Sequence, residues 1–316
     1  MSPEHPAGGP PDRAATHGGD GQEVDIVAVV VTYNRVALLE VCLEALLAQT
    51  APVRVLVIDN ASTDGTPALL ETFAGRVDVV RLPSNSGGAG GFHEGLRLAE
   101  ESGADLVWLM DDDTIARPDA LEELLAARTR VSAGSSFFCS RVLWTDGRPH
   151  PMNLPALDDR YDRALMAAAG GCVAVRSCSF VSVLFDATSV RRHGLPLADY
   201  FIWGDDVEYT SRMSAAGLGV LVPGSTVEHR TTYFSLDNPG ERYYFAARNN
   251  LWTIRFSPGA RGRRGRLVYR YLFLLAYQLK HAKDLVLPRA ALRGVKDGLL
   301  QRPDLTPLRG VASTEL

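Results

Sequence analysis

Residues 24–33 form an almost unbroken β-branched apolar run. A run without polar alternation reads as a strand buried on both faces, as in a parallel sheet. The period then changes: Leu38, Leu39, Leu43, Leu46 and Leu47 fall on one side of a helix. The alternation continues with a strand at 53–58, a helix at 67–73, a strand at 77–82, a glycine-rich turn at 85–91, a helix at 92–102 and a strand at 105–110. Strands and helices alternating at this spacing predict parallel strands joined by right-handed crossovers. The pattern after 114 is mixed. It predicts a helix at 118–128, a strand near 136–143, a polar loop at 145–170, a strand at 179–185 and a helix at 206–216. Short strands near 219–222 and 226–229 follow, and beyond Asp237 the chain reads as helical almost to Leu300.

This divides the chain into a tail at 1–22, a catalytic-type α/β domain at 23–235 and a helical C-terminal region at 236–316. Within the α/β domain, 23–114 reads as a nucleotide-binding half and 115–235 as an acceptor half. The tail is rich in Gly, Pro, Ala and Asp without an apolar stretch, so it reads as disordered and not as a signal peptide.

Composition narrows the classes. With 316 residues and 46% hydrophobic content the chain can bury a real core. A net charge of −4 provides no global field for nucleic acid. Cys42, Cys139, Cys172 and Cys178 show no zinc spacing and no dense disulfide framework, consistent with a reducing cytoplasm. No stretch reaches the roughly 20 apolar residues of a membrane span. The 13 residues 267–279 come closest, and they contain Arg270. Arg255, Arg261, Arg263, Arg264 and Arg266 precede them; Lys280, Lys283, Arg289, Arg293 and Lys296 follow. Such a helix can lie on an anionic membrane surface, pack on the catalytic domain, or do both.

The chemistry concentrates at strand ends. Asp111-Asp112-Asp113 directly follows the apolar run 105–110. Carboxylates stacked there repel one another unless a cation neutralises them, and hard oxygen ligands suit Mg²⁺ or Mn²⁺. In open α/β sheets ligands bind at the carboxyl ends of the strands. Thr32-Tyr33-Asn34-Arg35 ends the first strand and Asp59-Asn60 the second. Asp59 could accept from a base imide N–H, while Thr32 and Arg35 could hold ribose and phosphate. Asn85 to Gly91 could let backbone approach a ligand and open a helix toward phosphate. A second carboxylate cluster, Asp205-Asp206, follows Trp203-Gly204 and begins a helix. Asp206 reads as a base facing a sugar acceptor, with Trp203 as an apolar platform. Glu208 and Arg212 read as an i,i+4 pair. His229 follows a short strand and could complete a cation site.

Taken together, these motifs resemble the family 2 glycosyltransferases of GT-A fold, over about residues 24–249. The triple aspartate, the segment 201–208 and Tyr243-Tyr244-x-x-x-Arg248-Asn249 are most similar to actinobacterial galactofuranosyltransferases. Those enzymes start galactan on a polyprenyl-diphosphate-linked disaccharide. The resemblance implies a Rossmann-like, mostly parallel sheet flanked by helices. It implies that Thr32, Asn34, Arg35, Asp59, Asn60, Asn85, Gly88 and Gly91 surround the nucleotide-sugar donor, with Asp112 beside ribose and diphosphate. Asp111, Asp113 and His229 would bind Mn²⁺ or Mg²⁺. Asp206 would be the general base, with Trp203, Asp205 and Arg248 on the acceptor side. The family's usual Glu-Asp pair is Asp205-Asp206 here, which shortens the first acid. A peripheral place on the inner face of the cell membrane follows from a lipid-linked acceptor. Rhamnosyltransferases of the same family share most of these features, so a dTDP-rhamnose donor stays open. A sugar-phosphate nucleotidyltransferase would want a basic, glycine-rich signature near the N-terminus; residues 24–40 offer only Arg35. A catalytically dead nucleotide-sugar-binding protein is the non-enzymatic alternative.

Overall fold

The computed structural model describes residues 24–131, 134–231 and 239–306; the expected disordered tail lies outside them. The chain runs β1 (Ile26–Thr32), α1 (Val36–Leu47), β2 (Arg54–Asp59), α2 (Thr66–Thr72), β3 (Asp78–Arg81), α3 (Gly87–Glu101) and β4 (Leu106–Asp111). Then come β5 (Thr114–Ala116), α4 (Ala120–Arg130), β6 (Ser135–Leu143), β7 (Ala156–Leu157), α5 (Tyr161–Ala169), β8 (Val173–Ser177) and β9 (Val183–Asp186). The rest is α6 (Ala187–His193), α7 (Asp205–Ala216), β10 (Leu218–His229), α8 (Tyr243–Phe256), α9 (Arg264–Lys280) and α10 (Val286–Leu300).

All strands join one sheet in the order β3-β2-β1-β4-β9-β6-β10-β8-β7, with β5 on β10. The first four are parallel to one another, while β9 runs antiparallel to both β4 and β6. The predicted parallel character is therefore concentrated in the nucleotide half, and the rest of the sheet is mixed. The order 3-2-1-4 reverses direction between β1 and β4, and such a switch point leaves a crevice beyond the strand ends.

The unbroken apolar run of β1 is explained by its two buried faces. Ile26, Ala28 and Val30 join a core with Leu39 and Leu43 of α1, whereas Val27, Val29 and Val31 join one with Phe92 and Leu96 of α3. Alternate side chains point to opposite sides of a strand, so both sets must be apolar.

Three local expectations are corrected. The glycine-rich segment is not a turn: α3 already begins at Gly87. A Cβ on Gly91 would sit 2.4 Å from Val31 Cγ1, and one on Gly95 would sit 2.3 Å from Val29 Cγ1. Small residues there let α3 lie close on β1. The polar loop 145–170 contains β7 and α5. The two short strands at 219–229 are one strand, β10, whose pairing with β6 shifts register between Val222 and Thr226.

The C-terminal region is helical, as expected. α10 packs on α8 through Gly294, whose Cβ would meet Tyr244 O at 2.4 Å, and through Gly298 against Leu251. α9 buries only Tyr271 and Gln278. Among the described residues no helix is long and apolar enough to cross a membrane.

Candidate active site

The carboxyl ends of β1 and β4 lie side by side, with Val31 in register with Asp111. This brings Thr32 and the three aspartates together. Thr32 donates its hydroxyl to Asp112 Oδ2 at 2.7 Å. Arg35, just past β1, makes a close ion pair with Asp113 and lies 3.8 Å from Asp112. The antiparallel β5–β10 ladder sets His229 opposite Thr114, directly after Asp113. His229 Nε2 thereby comes 2.9 Å from Asp113 Oδ1.

The ligand atoms of Asp111, Asp113 and His229 all lie within 4.8 Å of one another. His229 Nδ1 is 2.8 Å from Asn153 Oδ1. An amide oxygen only accepts, so Nδ1 carries the proton. Loss of the Nε2 proton then leaves its lone pair facing the carboxylates. Two carboxylates and an oriented imidazole fit a divalent cation such as Mn²⁺ or Mg²⁺. Asn153 belongs to the segment read as a polar loop, and nothing in the sequence pattern marks it.

The protein side of this site is electrostatically uneven. Burial, then the neighbouring Asp113, push Asp111 up to about 6. Burial also pushes Asp112 up to about 7, against the pull of Arg35 and the Thr32 hydrogen bond. Burial acts on Asp113 in the same sense, but the hydrogen bond and charge of His229, with Arg35, outweigh it and hold Asp113 low. His229 is raised in return: burial opposes its charge and Asp113 more than compensates.

The second strand builds an adjoining wall. Asp59 is buried, accepts from Ser62 N–H at 2.8 Å and lies 3.6 Å from Arg81 Nε. Asn34 has φ of +54°. It accepts from Thr63 N–H at 2.7 Å and ties the ends of β1 and β2 together. Asn60 donates to Gly87 O at 2.7 Å and accepts from Ser86 N–H at 2.8 Å, which fixes the start of α3. Asn85 accepts from Gly87 N–H at 2.8 Å. A Cβ at Gly88 would meet nothing within 4 Å, so it has open space beside it, whereas Gly91 is used against Val31. Arg81 is the wall residue that sequence reasoning missed; its β3 position marks it only once β2 and β3 are paired.

Asp205 and Asp206 start α7, after a loop with φ of +63° at Phe201, +65° at Trp203 and +92° at Gly204. The loop is held from two sides. Phe201 O accepts from Ala89 N–H of α3 at 3.0 Å. From α8, Asn249 Nδ2 reaches the carbonyls of Tyr200, Ile202 and Trp203 at 2.9, 2.9 and 2.8 Å. Arg248 donates to Asp199 O at 2.6 Å and lies over the Trp252 ring at 4.1 Å. Its guanidinium is thus engaged in the loop support.

Burial, then Asp206, push Asp205 well above the usual carboxylate range, while burial pushes Asp206 up to about 6. Two adjacent acids with separated affinities can divide their work, one staying protonated and one ionising. Asp206 acts on Asp111 and Asp111 on Asp205 through their charges, so the two acidic clusters lie near one another. Glu208 and Arg212 form the expected i,i+4 pair, buried, at 3.0 Å. Arg212 also donates to Leu195 O at 3.0 Å, and Ser257 donates to Glu208 at 3.0 Å. All four cysteines are free and buried.

Comparison with known proteins gives a consistent picture. Residues 27–184 match the family described as glycosyl transferase family 2. The chain is 32% identical over 259 residues to the galactofuranosyltransferase GlfT1 of Mycobacterium tuberculosis, covering 75% of this chain and 84% of that protein. The S. aureus TarS 1-349 structure in complex with UDP-GlcNAc superposes with a TM-score of 0.58 at 16% identity, over 87% of this chain and 81% of that one. The mannosyltransferase PcManGT from Pyrobaculum calidifontis, in complex with GDP-Man and Mn²⁺, gives 0.54 at 14% identity, over 87% of both chains.

Proposed function

The chain belongs to glycosyl transferase family 2 and is a glycosyltransferase, and from that premise we propose an inverting, metal-dependent galactofuranosyltransferase. Its donor is UDP-galactofuranose and its acceptor a polyprenyl-diphosphate-linked glycan in cell-wall biosynthesis. One observation carries the reading: the Asp111, Asp113 and His229 cluster shares its field with an acidic pair at the start of α7. Similarity to the galactofuranosyltransferase GlfT1 supports the sugar.

Asp111, Asp113 and His229 would hold Mn²⁺ or Mg²⁺, which when bound neutralises charge on the diphosphate leaving group. Thr32, Arg35, Asp59, Asn85 and Asp112 face the nucleotide. Asn34 and Asn60 shape the wall that carries them, and Gly88 leaves room beside it. The Asp206 carboxylate takes the proton from an acceptor hydroxyl. The freed oxygen attacks the anomeric carbon from the face opposite the diphosphate, and a single displacement inverts that centre. Asp205, kept protonated, donates to the acceptor. Trp203 offers the sugar an apolar face, and Arg248 fixes the loop behind it.

Residues 23–235 form the catalytic domain in this reading, and 236–316 hold it against a membrane surface. α9 exposes Tyr269 at 73%, Leu272 at 57% and Phe273 at 60%. Basic residues flank that apolar face, the combination that favours an anionic lipid surface.

The test offers UDP-galactofuranose and dTDP-rhamnose separately, with Mn²⁺ and a synthetic lipid-linked disaccharide. Transfer from UDP-galactofuranose with inversion is expected. Transfer from dTDP-rhamnose alone would reassign the donor, and donor binding without transfer or hydrolysis would remove the catalytic reading.

A further inference from the structure

A cavity of about 590 Å³ lies at the carboxyl end of α7. Its wall includes Ser214, which is roughly 12 Å along the helix from Asp206. Arginines reach it from three directions: Arg160 just ahead of α5, Arg176 near the end of β8, and Arg261 and Arg263 between the turn Pro258–Ala260 and α9. That turn is pinned to α7, since a Cβ on Gly259 would sit 2.7 Å from the Ser211 carbonyl carbon. The carboxyl end of a helix by itself repels an anion. Here it is already capped: Arg163 donates to Ser214 O and Gly217 O, and Arg160 donates to Ser214 O at 3.3 Å.

The acids present do not balance these cations. Asp158 is buried and serves Arg160 at 2.6 Å and Arg163 at 3.6 Å. Asp159 is largely exposed and is shared by Arg176 at 3.6 Å and Arg266 at 3.7 Å. No carboxylate among the described residues lies within 4 Å of Arg263. Burial first, then the Arg176 charge, hold its guanidinium below the ordinary arginine range, and Asp159 offsets this only in part. His193 is held low by burial, Arg212 and Arg192, so it stands in the wall as a neutral imidazole. Crowded cations without matching acids call for an anion. Apart from His193 the wall has no aromatic ring, so it offers a nucleobase nothing to stack on. A carboxylate presents two coplanar oxygens. A phosphate group presents its oxygens in a tetrahedron, which suits guanidinium forks arriving from three sides.

We propose that this cavity is an anion site separate from the nucleotide site, that it binds a phosphate group, and that the bound phosphate ties β8 and the start of α5 to the segment leading into α9. The inference stands on the cavity alone and does not depend on the sugar assigned above. Free phosphate and a phospholipid headgroup offer the same chemistry here, because the exposed apolar face of α9 begins a few residues after Arg263.

The test reads binding without turnover, on the full-length protein in EDTA. Inorganic phosphate is titrated calorimetrically at constant ionic strength. In a second arm, binding to phosphatidylcholine vesicles with and without phosphatidic acid is measured by flotation. Arg176→Gln is the decisive variant, because Arg176 lies in β8 and outside the basic C-terminal segment. Loss of one charge-assisted arginine contact should weaken binding at least about tenfold. Arg263→Gln should do the same and serves if Arg176→Gln fails to fold. Arg176→Lys keeps the charge without the fork and should lose less than the glutamine variant but more than nothing. Arg76→Gln removes one positive charge from the exposed Glu44 pair and should leave both arms unchanged. A loss confined to inorganic phosphate assigns a soluble ligand, a loss confined to phosphatidic acid vesicles assigns a lipid headgroup, and a loss in both arms shows that either source fills the site. The proposal is overturned if wild-type protein binds neither probe, or if folded Arg176→Gln and Arg263→Gln bind both probes as wild type does.

Discussion

Asn249 should matter to both stability and catalysis, to an extent that the structure allows to be worked out. Its side chain is 1% exposed. Its amide nitrogen serves three carbonyls, those of Tyr200, Ile202 and Trp203, and its oxygen accepts from Arg248 Nε at 3.0 Å. Two N–H groups shared among three acceptors count as roughly two net bonds of about 1 kcal/mol each. Asn249→Ala also leaves an arginine donor and buried carbonyls without partners, which adds about 1 kcal/mol or more. The total is about 3 kcal/mol, or on the order of 4–5 °C in Tm for a chain of this size. The same bonds hold Phe201 and Trp203 at positive φ, conformations that cost about 1–3 kcal/mol each without support. Released, the loop should relax and carry Asp205 and Asp206 out of line. We therefore expect kcat to fall at least about tenfold, while affinity for UDP with Mn²⁺, which depends on β1, β2 and β4, changes little. Asn249→Asp should be worse, because a carboxylate would face three carbonyl oxygens. Calorimetric unfolding, donor titration and initial rates on the same preparations provide the assay. A variant with Tm within 1 °C of wild type and an unchanged kcat would refute the reasoning.

Asp113→Ala and His229→Ala should abolish turnover and weaken UDP binding in Mn²⁺; full activity in EDTA would contradict both. Asp206 must be ionised to act as the base and burial pushes it up to about 6. kcat should therefore fall about tenfold per unit as pH drops below that value, and Asp206→Asn should lower kcat about 10²–10⁴-fold. Near wild-type turnover by that variant would shift the role to Asp205. Gly91→Ala should cost about 1–3 kcal/mol in denaturant titration, because its Cβ would strike Val31. Gly88→Ala has open space and should be neutral or stabilising by up to about 1 kcal/mol, so equal losses at both positions would contradict the packing account. Changing Arg261, Arg263, Arg264 and Arg266 to Glu should release the protein from anionic vesicles in a salt-dependent way. Unchanged vesicle binding by the folded variant would reject the surface-anchor role of this segment.

The nucleotide half was legible because β1, β2 and β4 are buried on both faces and therefore spelled in continuous apolar runs. Asp111–Asp113 could be placed for the same reason: the run before them has only one carboxyl end. The acceptor half was less legible. β7 is two residues long and exists only through its pairing with β8. α5 exposes Tyr161, Leu165 and Met166 and buries only Ala167, so its large apolar residues do not mark a face turned to the core. Its Gly170-Gly171 stop was the available signal. Glycines at 87–91 spell a turn by local propensity, yet here they open α3, and Gly91 lets that helix pack closely on Val31 of β1. His229 could be nominated from sequence, but its orienting partner Asn153 is brought in from a distant segment and carries no local mark.

The β5–β10 ladder has a consequence for the order in which the chain can be assembled. The three aspartates are made early and His229 more than a hundred residues later, so every nascent chain passes through a stage that has the carboxylates without the imidazole. A nascent chain that has completed only β1 to β4 presents its acidic strand end with Arg35 beside it and without the imidazole. Arg35 can serve as an internal counterion during that interval, holding the carboxylates together until β10 arrives. In the proposed reading, tight cation binding is then expected only once β10 is in place. Released fragments ending before β10 should bind Mn²⁺ weakly.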